Sequence, residues 1–168
     1  MKRYESGQTL IEIILALSVV VLIITGITFA VTSSIKNATF SKNQNLATQY
    51  AQQGMEIVRA IRDRSWTAFF SLADVNYCLS KDSQELTVRP GSYCTSDGTK
   101  AGTPNVGIFV REIRIQPSNP NCSPGGANVK ATVSVAWEDS KCTSPANPFC
   151  HKVQLVSCFT NTNVVPIP

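Results

Sequence analysis

The chain changes character abruptly along its length. From Ile13 to Ile35 no charged residue occurs, and most positions are aliphatic. As a helix rising about 1.5 Å per residue, that run measures about 35 Å, enough to cross the roughly 30 Å hydrocarbon layer of a bilayer. A buried core helix is rarely apolar on every face over such a length. After Lys36 the pattern turns amphipathic. Ala47, Tyr50, Ala51, Gly54, Ile57, Val58 and Ile61 recur at three- and four-residue spacing and mark one helical face. Lys42, Asn45, Gln49, Gln52, Glu56, Arg59 and Asp63 fall on the other, with Arg59 and Asp63 placed as an i, i+4 pair of opposite sign. No strong stop signal intervenes, so the pattern predicts one long helix, apolar through 8–35 and amphipathic through 36–70.

The rest, 71–168, reads as a small β-rich head. Residues 72–105 carry the turn signals Pro90-Gly91, Asp97-Gly98 and Gly102-Thr103-Pro104, with Glu85 to Arg89 as a short strand. Three better strands follow: Val106 to Gln116, Asn128 to Glu138, and Lys152 to Thr160. The second alternates cleanly, with Val129, Ala131, Val133, Val135 and Trp137 on one face and Lys130, Thr132, Ser134 and Glu138 on the other. In the third, Val153 and Leu155 face inward. Pro117 to Gly126 and Asp139 to Phe149 must be loops. The fold class expected is α+β: a long N-terminal helix packed on an antiparallel meander of three or four strands, one sheet face on the helix stripe and one in solvent.

Charge and cysteine usage add orientation and compartment. The mean hydropathy is close to zero, an average that hides the division described above. The net charge is +4. Lys2 and Arg3 precede the apolar run and Lys36 follows it, so the positive-inside rule places the N-terminus in the cytoplasm and the head outside. The six cysteines, Cys78, Cys94, Cys122, Cys142, Cys150 and Cys158, all lie on the outer side, where an even count favours disulfides. Many connectivities are open. The strand layout suggests Cys142 with Cys150 across the last loop and Cys122 with Cys158 across an antiparallel pairing, leaving Cys78 with Cys94. No C-x-x-C pair occurs and His151 is the single histidine, so no metal site is expected.

The N-terminus admits three targeting readings. A secretory signal peptide has a shorter apolar core, of about 7–15 residues. A plain signal anchor gives no reason for Glu12, a carboxylate just inside the front edge of the run. A lipoprotein signal needs a cysteine, and none precedes Cys78. A carboxylate at this depth costs several kcal/mol unless paired, so such residues point to function. Met1-Lys2-Arg3-Tyr4-Glu5-Ser6-Gly7, followed by Gln8-Thr9-Leu10-Ile11-Glu12 and the aliphatic run, resembles the class III leader of type IV prepilins and pseudopilins. The resemblance covers roughly residues 1–35. It implies a leader of 1–7, cleavage between Gly7 and Gln8 by a prepilin peptidase, N-methylation of Gln8, and a registry role for Glu12 against the N-terminal amine of a neighbouring pilin subunit. The stretch Ala51 to Trp66 resembles the equivalent part of minor pilin-like proteins, and a sheet-on-helix head is also what the family implies.

Two departures bear on rank within that family. The first mature residue is commonly Phe or Met, and here it is Gln8. Major pilins commonly carry a proline in the apolar segment; 13–35 has none, and only Gly26 offers a break. Both fit a minor or pseudopilin-type subunit better than a major one.

The expected function is therefore structural: a minor pilin in a type IV pilus or related filament, without cofactor or metal. It is single-pass in the cytoplasmic (inner) membrane before assembly machinery extracts it from the lipid. Alternatives are a pseudopilin of a type II-like secretion system, or a filament-tip subunit for adhesion or DNA uptake. The outer-face residues Glu112, Arg114, Lys130, Thr132, Lys152 and Gln154 are mixed in character, and the cluster Arg59, Arg62 and Arg64 reads as helix C-terminal charge, so nucleic acid is not favoured as a partner. No G-x-S-x-G, phosphate loop or H-E-x-x-H occurs, and an enzyme is not expected. Asp74, Asp82, Glu85 and Asp97 lack calcium-loop spacing.

Overall fold

The computed structural model describes residues 5–122, 127–144 and 148–161, with side chains from Leu10 onward. Residues 1–4 of the expected leader, and 123–126 and 145–147 in the two long loops, lie outside the described residues. The chain divides into two compact units, Met1–Asn43 and Gln44–Pro168. The first helix, α1, runs Glu5–Arg64.

In the first unit the helix passes through Gly26 without a break, and every side chain from Leu10 to Thr39 is exposed. Its hydroxyls are satisfied locally. Ser18, Thr25, Thr28, Thr32 and Ser34 each donate to the carbonyl one turn earlier, at 2.8–2.9 Å. Polar groups closed off in this way carry little cost in a hydrocarbon setting.

In the second unit the helix presents the predicted stripe. Ala47, Ala51, Gly54, Met55 and Val58 are buried, and Tyr50, Ile57 and Ile61 are half-buried. Gln49, Gln52, Glu56, Arg59 and Asp63 are exposed as expected. The charge pairing differs from the expected one. Arg59 pairs with Glu56 at 2.5 Å, and Asp63 pairs with Arg62 at 2.6 Å, so Arg59 and Asp63 each take a nearer partner on the same exposed surface. The helix also ends sooner than residue 70. Ser65 is extended, at φ −161 and ψ 107, and its hydroxyl accepts the Ala68 N–H to cap a second short helix, α2, Trp66–Phe70.

Among the described residues the sheet has five strands: β1 Asn76–Cys78, β2 Thr87–Val88, β3 Phe109–Pro117, β4 Asn128–Trp137 and β5 His151–Thr160. Their order is β2-β1-β3-β4-β5, and every neighbouring pair is antiparallel. The meander β3-β4-β5 is as expected. β1 is not: three residues are too few to show a period, and the strand exists because Tyr77 and Cys78 find Ile113 and Glu112 opposite. β3 begins three residues later than its apolar pattern, because Val106 and Phe109 exchange backbone hydrogen bonds around Gly107, whose φ of +61 favours glycine.

Strand parity builds the core. Phe109, Ile113 and Ile115 of β3, together with Val129, Ala131, Val133, Val135 and Trp137 of β4, are all buried. Tyr50 meets Phe109 edge-on at 5.4 Å, Phe69 meets Phe159 at 5.7 Å, and the Arg62 guanidinium lies 5.0 Å over the Phe159 ring. The opposite sheet face is not wholly in solvent. At one end Cys78, Cys94, Val110 and Phe149 form a small second cluster, with Tyr93 and Ala136 packed against it.

Candidate functional site

The features that bear on function lie in three places. The first is the uncovered helix. Apolar side chains including Leu10, Ile13, Leu17, Leu22, Ile27 and Phe29 are between 59% and 78% exposed, so this surface has no partner among the described residues. The helix is long and apolar enough to cross a membrane. Glu12 stands exposed on that surface, and among the described residues it makes no ion pair. Gly7 and Gln8 fall on the helical backbone at its start, and their side chains lie outside the described residues. Positions 8 and 12 are one helical turn apart.

The second place is the outer sheet face, a shallow concavity of about 570 Å³ lined by charged residues including Arg89, Glu112, Arg114, Lys130 and Lys152 and by apolar ones including Phe149. Its charges are partly answered. Arg89 pairs with Glu112 at 3.3 Å and Arg114 with Asp74 at 2.9 Å. The hydrogen bond from Arg114 holds the Asp74 carboxyl below its ordinary value, against partial desolvation and with help from Gln116. Asp97 is likewise held low by the Thr99 backbone and hydroxyl donors. Asp74 and Asp97 are thus separately engaged, and no calcium-type cluster forms from them among the described residues.

The third is the base of the β4–β5 connection. The six cysteines form three disulfides, Cys78–Cys94, Cys122–Cys158 and Cys142–Cys150, with Cα–Cα distances of 5.4, 5.5 and 5.3 Å. These are the pairs that the strand layout suggests. Each bridge typically contributes about 2–4 kcal/mol by restricting the unfolded chain. The last of them sits beside Asp139 and His151, whose Oδ2 and Nε2 are 2.9 Å apart. His151 stacks on Trp137 at 5.3 Å between ring centroids, its cross-strand partner in the register. Burial alone would raise the Asp139 carboxyl. Hydrogen bonds from the Lys141 N–H and from His151, with the charges of both, hold it below its ordinary value instead. Asp139, Cys142, Cys150 and His151 bring their donor atoms within 4.8 Å of one another. Spacing along the sequence argued against any metal-type grouping. The hairpin register supplies one by returning β5 to the end of β4.

One further residue escaped sequence reasoning. Arg111 is fully buried at the centre of the inner face. Its Nε donates to the Leu79 carbonyl at 2.9 Å and Nη2 to the Ser80 carbonyl at 2.6 Å. Nη1 donates to Gln53 Oε1 at 3.0 Å and to the Tyr50 carbonyl at 3.3 Å. Desolvation holds the guanidinium below its usual pKa, and no carboxylate accompanies it in this set of bonds. Its parity with Phe109 and Ile113 was the available signal. No family model, curated protein or solved structure matches this chain.

Proposed function

We propose that the chain is a structural subunit of a type IV pilus or related filament, of the minor kind, processed between Gly7 and Gln8. The observation that carries this reading is the order of features on one helix. The Gly7-Gln8 pair is followed by Glu12, then by an uncovered apolar surface, then by a stripe that packs on an antiparallel sheet. A helix so exposed needs lipid before assembly and other subunits afterwards. Glu12 then meets the α-amino group of a neighbour, since two opposite charges in an apolar bundle satisfy each other and set the axial offset between helices. Prepilin peptidase, other pilin subunits and an assembly machine are the partners this reading requires.

Mass spectrometry of the mature chain tests it. The expected product begins at N-methylated Gln8. Retention of Met1, or a start near residue 34, overturns the reading in favour of a plain anchor or a cleaved signal peptide.

A further inference from the structure

The β4–β5 hairpin is closed at its base by four side chains of metal-binding type. Asp139 and Cys142 leave β4 on one turn, in which the Cys142 N–H donates to the Asp139 carbonyl at 3.0 Å. Cys150 and His151 enter β5 consecutively. Two sulfurs, one imidazole and one carboxylate are a donor set suited to Zn²⁺ in tetrahedral geometry. In such a site, with Zn–S about 2.3 Å and Zn–N or Zn–O about 2.0 Å, the sulfurs stand about 3.8 Å apart and the nitrogen and oxygen about 3.3 Å. The donor atoms here lie within 4.8 Å of one another, and Nε2 and Oδ2 are 2.9 Å apart. Only the bonded sulfurs have to separate substantially. The surrounding groups are already arranged to support the ligands. The Asp139 N–H points at Cys142 Sγ at 3.4 Å, a contact that favours a thiolate. The Lys141 N–H holds the other carboxylate oxygen, Oδ1, at 2.7 Å, and the Trp137 ring fixes the imidazole plane. Cys150 is exposed and the other three are half-buried, so an ion has access.

We propose that this corner is a Zn²⁺ site whenever Cys142 and Cys150 are thiols, as they are when the chain is synthesised, and that the Cys142–Cys150 disulfide supersedes it on oxidation. Binding releases two thiol protons and puts the metal on Nε2 and Oδ2; the neutral imidazole carries its own proton on Nδ1, and an imidazolium gives up its Nε2 proton to solvent as a third. Oxidation by a disulfide-bearing oxidant forms the Cys142–Cys150 bond and frees Zn²⁺. The two electrons reduce the oxidant's disulfide to two thiols, which take up two protons. In either state the hairpin base is held closed, so the loop does not depend on the order of export and oxidation. This inference concerns the head alone and is independent of the filament reading.

The test uses the full chain in detergent, reduced with a phosphine and exposed to Zn²⁺ or, separately, to Co²⁺ as a spectroscopic probe. The expected result is one metal per chain by elemental analysis. Co²⁺ is expected to give intense visible bands of tetrahedral type with thiolate charge transfer, and its release should follow addition of a disulfide oxidant. Asp139→Asn and His151→Gln should each weaken binding at least about tenfold, and the double variant Cys142→Ser/Cys150→Ser should abolish it. Cys78→Ser/Cys94→Ser should retain it, which separates this site from uptake by any free thiol. Uptake below one metal per chain overturns the proposal, and so does uptake unchanged by His151→Gln. Both outcomes hold whether or not the reduced head keeps its fold, since an unfolded thiol chain binds metal without regard to His151.

Discussion

Gly54 of α1 faces Val133 of β4 so closely that a Cβ at position 54 would lie 2.9 Å from Val133 Cγ1. The same position stands 3.5 Å from Arg111 Cδ. Glycine inside a helix costs about 1 kcal/mol relative to alanine, so its presence there reflects contact and not helix propensity. The valine is β-branched and stiff, and it cannot turn away cheaply.

The pair makes a direct prediction. Gly54→Ala gains about 1 kcal/mol of helix propensity but overpacks the contact by about 1–3 kcal/mol, for a net loss of about 1 kcal/mol in chemical denaturation of the full chain in detergent. Combining it with Val133→Ala, which makes room, should recover much of that loss in a double-mutant cycle. Strict additivity would show that the two side chains do not meet.

Arg111 should be the costliest polar substitution in the head. Arg111→Met leaves the Ser80 carbonyl and the Gln53 amide oxygen, both on exposed residues, to water, and leaves the buried Leu79 carbonyl with only the Asn105 amide at 3.3 Å, at a cost of about 1–3 kcal/mol for the buried acceptor that loses its shorter hydrogen bond. The expected outcome is a loss of about 1–3 kcal/mol in the denaturation free energy. Arg111→Lys should restore little, because one ammonium cannot reach acceptors on α1 and on the chain after β1 together. A wild-type midpoint for the lysine variant would contradict the fork geometry.

Acid should weaken the head partly through Asp74. Its folded pKa is lowered, chiefly by the Arg114 hydrogen bond. The contribution is therefore present above the unfolded carboxyl pKa and is lost as pH falls through the folded one. Stability measured against pH should fall less steeply in acid for Asp74→Asn, with the two proteins converging at the lowest pH. Since the pair is half exposed, raised salt should shrink the difference near neutrality.

Glu12→Ala tests the registry role directly. The substitution removes a carboxylate that makes no ion pair among the described residues, so membrane insertion and the proposed leader cleavage should proceed normally. If the chain is the proposed filament subunit, its incorporation into filaments should fall sharply, because the neighbouring amine would be left without its counter-charge. Quantifying the chain in sheared filaments against that in membranes reads this out, and unchanged incorporation would remove the argument for pairing.

Much of the head was legible because period-2 alternation is a local signal. The alternation in β4 told which of its faces is buried, and the loops between strands followed from proline, glycine and asparagine. The short strand β1 was not legible, since its three residues acquire their pairing only from β3. The helix end was misplaced for a related reason. Nothing apolar changes at Ser65, where a single extended residue and a capping hydroxyl turn the chain.

By itself the sequence determined the long apolar helix, the amphipathic stripe beyond it and the α+β class, because each is written in residue periodicity and in the charge-free length of one segment. Tertiary structure alone decided that Arg111 is buried against α1, and that Gly54 is where helix and sheet come close. It also brought Asp139 and His151 to the Cys142–Cys150 bridge. Those contacts join positions far apart in the chain, or on opposite sides of a hairpin. Local pattern carries no information about such distances until strand register sets them.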